Sequence, residues 1–400
     1  MFDRRAFLAA VPAATALSRV AQAADWPAIL AQARGQTVRF NAWGGDDRTN
    51  AFIAWAGQQT ERQFAVKVEH VRLRDTADAV QRVITERGAG RLTDSGSVDL
   101  IWINGPNLAH MRREGLLHGP FVADLPGFAA VDVVGKPATV VDFALPVEGY
   151  AAPWLMAQIV YVYESARLPT PPTSLPAMLD WAQSRPGRIA HPHGRNFLGA
   201  TFLKQALVSL APDAQALQAP VTEAAYSAVS APMWAWYRAL RPLLWRAGTT
   251  FPTDGPQTQA LLGEGAIDLT LSFNPAEASG LIATGRLPAS VRTFVLAGGT
   301  IGNASFVAIP VNASAKAGAM VLADFLLSPV AQARAADERV LGQGSVLAIS
   351  RLALEDQARF QQLPRGPATL DPVALGRTLN EPHPSWMTRL TADWVALVQG

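Results

Sequence analysis

Of 400 residues, 34 are basic, 32 are acidic and none is cysteine. That balance gives no support to a nucleic-acid partner or an anionic membrane surface. The lack of cysteine excludes thiol catalysis, cysteine-ligated zinc and iron–sulfur chemistry, and leaves the fold to be held by its core.

The chain opens on an export address. Arg4-Arg5-Ala6-Phe7-Leu8 is a twin-arginine pattern, a short apolar stretch follows, and Ala21-Gln22-Ala23 reads as a signal-peptidase site, with cleavage after Ala23. Asp3 before the arginine pair leaves the route open between twin-arginine and general secretion. The apolar stretch is well under the roughly 20 residues that span a bilayer. Removing three arginines and one aspartate with the leader leaves 31 residues of each sign. The expected product is a soluble, periplasmic, monomeric protein long enough for two lobes.

Residues 26–34 read as a short helix. Val38, Phe40 and Ala42 then alternate with polar neighbours as a strand does, and Gly44-Gly45 ends it. Asp46, Asp47 or Thr49 can cap the next helix, in which Phe52, Ile53, Trp55 and Ala56 recur at helical spacing. A second strand over residues 64–73 and a helix carrying Val80, Val83 and Ile84 follow. Residues 98–103 are nearly continuously apolar, as in a strand buried on both faces, and a helix runs on from Asn107. Strand–helix–strand order is the grammar of a parallel sheet. Pro146, Gly149 and Pro153 punctuate an extended crossing. Beyond it come strand and helix signals of a second lobe, an aromatic-rich helix over residues 231–246, and a return crossing at Gly298-Gly299. The predicted architecture is α/β and two-lobed, each lobe a mostly parallel sheet flanked by helices. Residues 24–147 plus 298–345 form lobe 1, residues 148–297 form lobe 2, and residues 346–400 are C-terminal helices packing on both.

Two lobes joined by two crossings enclose a cleft that can close about a hinge. Ligands sit at the carboxyl ends of strands in open α/β sheets, which singles out the turns there. Trp43 offers a π face, Gly44 and Gly45 open the backbone, and Asp46 either meets a cation or caps the helix. Trp102, Asn104 and Asn107 form a second such turn. Glu148 and Tyr150, with Trp154 beyond them, compose a box for a cation at the first crossing. Across the cleft, Asn196, Phe197, Gly199 and Thr201 open a helix whose amides can hold an anion. Ser272, Phe273, Asn274 and Glu277 follow a strand, and Thr300 and Asn303 lie at the return crossing. His191-Pro-His193 supplies too few donors for a closed metal site, and no pattern calls for a cofactor. Trp234, Trp236 and Tyr237 stand at helical spacing, as core residues do.

With those residues in view, the chain resembles the solute-binding proteins of ABC importers, and most of all the YnjB-type branch of the family-1 extracellular solute-binding proteins. The matching segments are 41–46, 98–105, 115–117, 148–149, 172–174, 186–188, 299–302, 308–312 and 325–329. The resemblance implies a type II periplasmic-binding fold, export, docking to the transmembrane subunits of a permease, and no catalysis. It also strengthens Glu148 and Tyr150 as site residues. Acids beside aromatics lean toward a cationic or heterocyclic solute, thiamine-like or polyamine-like. The alternatives are a small anion at Gly44-Gly45 and the helix start near Gly199, or a secreted two-lobed hydrolase, for which no Gly-x-Ser-x-Gly, His-Glu-x-x-His or Walker-type loop is present.

Overall fold

A computed structural model describes residues 25–399, so the leader and its cleavage after Ala23 lie outside the described residues. The first stretch is α1 (Trp26–Ala33), β1 (Thr37–Trp43), α2 (Asp47–Phe64), β2 (Lys67–Leu73), α3 (Thr76–Gly88), β3 (Leu100–Ile103), α4 (Gly105–Arg113), then β4 (Val141–Asp142), β5 (Leu145–Pro146) and β6 (Ala151–Gln158). The second is β7 (Val160–Glu164), α5 (Leu175–Ser184), α6 (Phe197–Leu210), α7 (Glu223–Leu240), α8 (Gly255–Gly263), β8 (Leu269–Ser272), α9 (Glu277–Ala283) and β9 (Val291–Phe294). The chain returns through β10 (Thr300–Ala308), α10 (Lys316–Leu327), α11 (Pro329–Ala336), α12 (Leu354–Gln361), α13 (Pro372–Leu375), β11 (Thr378–Leu379) and α14 (Pro384–Gln399).

The opening follows the sequence closely. Asp46 Oδ2 accepts the Thr49 amide (3.0 Å) and hydroxyl (2.8 Å), which fixes the start of α2. β1 lies between β2 and β3 and runs parallel to both. Phe40, Phe52, Trp154 and Phe325 fill the core on one face of this sheet, and Ile101, Ile103, Met111 and Phe306 fill the other.

Two expectations are corrected. The outward crossing comes later than Pro146, because β6 stays in the first sheet as the antiparallel neighbour of β10. Pro146 belongs instead to the β4–β5 hairpin. Pro153 suggested a break, yet it sits inside β6 opposite Phe306, beside a register shift between Ser305 and Phe306. Proline is tolerated at such irregularities because no ladder bond is asked of it. The chain therefore changes lobes around Ile159, between β6 and β7.

The second sheet is also not mostly parallel, since β7 lies between β8 and β9 and is antiparallel to each. β8, α9 and β9 do form a strand–helix–strand unit, as the sequence order suggests. β7, entering from the first lobe in the opposite sense, takes the place between its strands. The core there includes Tyr161, Phe202, Trp234, Trp236 and Tyr237, in keeping with the helical spacing of the last three. α14 adds Trp386 and Trp394, both fully buried. Just before α14, β11 pairs in parallel with the start of β10, Thr378 opposite Thr300, so the C-terminal stretch is sewn to the junction as well as to the second lobe.

Candidate functional site

The turn after β1 and the turn after β8 face each other across the lobe junction. Trp43 is half-buried with its indole against Gly45, where a Cβ would stand 2.6 Å from Trp43 Cζ2. Gly44 lies as tightly on the Arg72 side chain. The paired glycines are thus required by close packing. Asp46 serves as the α2 cap, and it and Arg48 both lie close enough to bear on the charge of Glu277. Arg48 reaches across to donate to the carbonyls of Val340 and Glu338, 2.8 Å each, and its guanidinium lies on Gly280 in α9. Burial is the main cause that pushes the Glu277 carboxyl up, and Asp46 adds to it. Asn274 donates to the Leu341 carbonyl (2.6 Å), and Ser272 and Asn274 bond each other, so this turn is pinned to the first lobe.

The turn after β3 behaves differently. Trp102 packs edge-on against Trp154, ring centroids 4.9 Å apart, as part of the first core. Asn104 makes no cap bond to its own helix. It donates instead to Asp142 Oδ1 (3.0 Å) and the Ala304 carbonyl (2.7 Å), while Asp142 Oδ2 accepts the Gly105 amide (2.5 Å). Asp142 therefore caps α4 from another element. Asn107 is half-buried in the first turn of α4.

Beside Asp142 lies a buried charge cluster formed by four separate parts of the chain. Lys204 on α6 pairs with Glu381 at 2.6 Å, the two side chains 0% and 2% exposed. Asn303 on β10 donates to the other Glu381 oxygen at 3.1 Å. The Lys204 ammonium stands 4.2 Å from the Phe143 ring centroid and 5.1 Å from that of Phe197, whose ring meets Phe273 edge-on at 5.6 Å. Thr201, one turn from Phe197 and three residues before Lys204, shares their face of α6, and its buried hydroxyl has no hydrogen-bond partner. Desolvation dominates all three ionisable groups. It pushes Asp142 up to about 7 and Glu381 upward, and pulls Lys204 down, while the two carboxylates draw the lysine back up. The cluster holds two carboxyl groups and one ammonium.

The box expected at the first crossing lies before it, between the β4–β5 hairpin and β6, and the protein fills it. Arg112 pairs with Glu148 and lays its guanidinium over Tyr150, 3.5 Å from the centroid. Trp154 is buried in the core instead. Leu108, Arg112, Leu145, Val147 and Glu148 line a cavity of about 330 Å³ that reaches Asp142.

Other expected residues hold the frame. Asn196 caps α6, accepting the Leu198 amide at 2.9 Å. A Cβ at Gly199 would collide with the carbonyls of Pro192 and His193, so acceptors rather than a ligand press on this helix start. Thr300 donates to Ile159 O (2.7 Å) and accepts from Gln158 (3.1 Å), which braces the crossing strands. His191 is buried, stacked on Phe202 and bonded to Tyr237, and desolvation lowers it to about 4.

Sequence reasoning missed Asp142, Phe143, Lys204 and Glu381. Lys204 did carry a signal, being the only charged residue among the 14 of α6. A charge in so apolar a helix must find a buried partner. Nothing local identified that partner, 177 residues further on.

Residues 54–361 match the family model for bacterial extracellular solute-binding proteins. Over 378 residues the chain is 41% identical to Protein YnjB of Escherichia coli (strain K12), covering 94% of this chain and 95% of that one. Among solved structures, an ABC transporter substrate-binding protein from Bradyrhizobium japonicum USDA 110 superposes with a TM-score of 0.63 at 17% identity, over 91% of this chain and all of that one. A putative spermidine/putrescine ABC transporter from Listeria monocytogenes gives 0.62 at 15% identity, over 90% and 99% of the two chains. The periplasmic binding protein AfuA from Actinobacillus pleuropneumoniae, with exogenous fructose-6-phosphate bound, gives 0.62 at 13% identity, over 91% and 99%. At such identities the structural likeness carries the fold, the two-lobed type II periplasmic-binding architecture, and not the ligand. The family match and the extent of identity to YnjB together place this chain in the family of bacterial extracellular solute-binding proteins.

Proposed function

We propose that this protein captures a small, positively charged solute, an amine or a cationic heterocycle, at the junction of its lobes. It closes on the solute by hinge motion and delivers it to a membrane permease, after export and removal of the leader at Ala23. The observation that carries the reading is the charge imbalance of the buried cluster. Asp142 and Glu381 share one ammonium, that of Lys204, beside the faces of Phe143 and Phe197. A buried carboxyl without a full counter-charge is costly, and a bound cation supplies the missing charge. Aromatic faces add attraction for the same charge. Trp43, Asn104, Thr201 and Asn303 supply the surrounding apolar and polar contacts. The anion alternative loses ground because the α6 start is covered by carbonyl oxygens.

Thermal unfolding of solute-free protein tests this with two sets of compounds. One holds choline, thiamine, n-butylamine and 1,4-diaminobutane, and the other phosphate, sulfate and small carboxylates. A ligand at a hundred times its Kd stabilises by about 2.7 kcal/mol. Stabilisation confined to cations is the expected result. Stabilisation confined to anions would overturn the reading.

A further inference from the structure

A buried ion pair such as that of Lys204 and Glu381 is not a dependable source of stability. Replacing such a pair with apolar residues of similar size is often neutral or stabilising, so its presence points to another role. Lys204 stands where a ligand ammonium would be expected: paired to Glu381, close to Asp142, with its charge over one phenyl ring and beside another. The surroundings are built for this. Phe143 and Ala144 form the two-residue turn of the β4–β5 hairpin and both have positive φ, 47° and 64°. Such turns ordinarily use asparagine and glycine, and a bulky residue there is strained. Strain of this kind persists where a site needs the side chain, and here it sets the buried Phe143 ring against the Lys204 ammonium. The unpartnered Thr201 hydroxyl on the same helix face leaves a polar atom free for a second group.

Building on the cation reading above, we propose that Lys204 sets the charge number of the solute. Its ammonium fills one of two cation places formed by Asp142, Glu381 and the two phenyl faces, so the site admits a solute with one positive charge and rejects one with two. The bland alternative is that Lys204 and Glu381 only tie the C-terminal segment to the second lobe.

Titration calorimetry on the whole mature protein separates these, with n-butylamine and 1,4-diaminobutane as probes of one carbon skeleton and different charge. The parent is expected to bind n-butylamine at least tenfold more tightly than the diamine. Lys204→Met leaves two carboxyl groups unopposed, and the preference should invert. Glu381→Gln leaves one carboxyl against one ammonium, and both affinities should fall more than tenfold. A folded Lys204→Met protein that keeps the parent's preference overturns the proposal, as does a parent that prefers the diamine or binds neither amine at millimolar concentration. A parent that binds only anions instead overturns the cation reading beneath it. Where Lys204→Met does not fold, the double variant Lys204→Met/Glu381→Gln restores one carboxyl with no lysine. It should bind n-butylamine within a few-fold of the parent, and loss of that binding refutes the assignment.

Discussion

Asp142 should make a defined contribution to the pH dependence of the solute-free protein, a loss of stability as pH rises. The residue is 4% exposed, and its carboxyl is raised from 3.8 to about 7, chiefly by desolvation, against the lowering influence of Asn104 and the Gly105 amide. A folded-state value above the unfolded one means that the folded state binds the proton more tightly. The stabilisation is therefore complete below about pH 4 and is lost as pH rises through about 7. Between pH 5 and pH 8 this single group removes about 3 kcal/mol of stability. Asp142→Asn keeps the shape, takes no charge and should not lose that increment. The assay is urea unfolding of dialysed parent and variant at pH 5, 6, 7 and 8, read as the parent-minus-variant difference. That difference should drop by about 3 kcal/mol across the range. A difference that stays constant would show that Asp142 is ionised throughout at no cost, already compensated by its surroundings, and the reading of a buried carboxyl that needs a bound cation would lose its main support.

The same group couples binding to protons. A cation beside Asp142 favours its ionised form, so amine affinity should rise about tenfold from pH 6 to pH 8 with release of up to one proton, seen as buffer-dependent heat in calorimetry. Trp43→Ala should weaken amine binding about fivefold, the effect of losing one partly exposed aromatic face, in a protein that still folds; equal affinity in the variant would make Trp43 a packing residue only. Gly199→Ala pushes a methyl into the Pro192 and His193 carbonyls and should cost about 1–3 kcal/mol by urea unfolding, with an unchanged midpoint refuting the close approach.

Much of the scaffold was legible because its signals are local. The β1 alternation, the unbroken apolar run of β3 and the Asp46 cap each depend on neighbouring residues, and each stands as expected. The lobe crossing was misplaced because Pro153 reads as a break, while its tolerance depends on a register shift against β10, about 150 residues away in sequence. The antiparallel place of β7 likewise depends on where the chain enters the second lobe. For the site, the turns at Trp43 and Ser272 were visible as strand ends, and they do face each other. Its charges were not visible. Asp142 lies in a two-residue strand, and Glu381 follows another. Their meeting with Lys204 is a property of the folded junction alone.

The most direct test of a cationic solute at the lobe junction is native mass spectrometry of the freshly purified mature protein, followed by denaturation and identification of the released molecule. The account predicts a stoichiometric solute bearing a net positive charge, an amine or a cationic heterocycle, that is absent from Asp142→Asn protein prepared in the same way. A stoichiometric phosphate, sulfonate or carboxylate ligand released from the parent would contradict it.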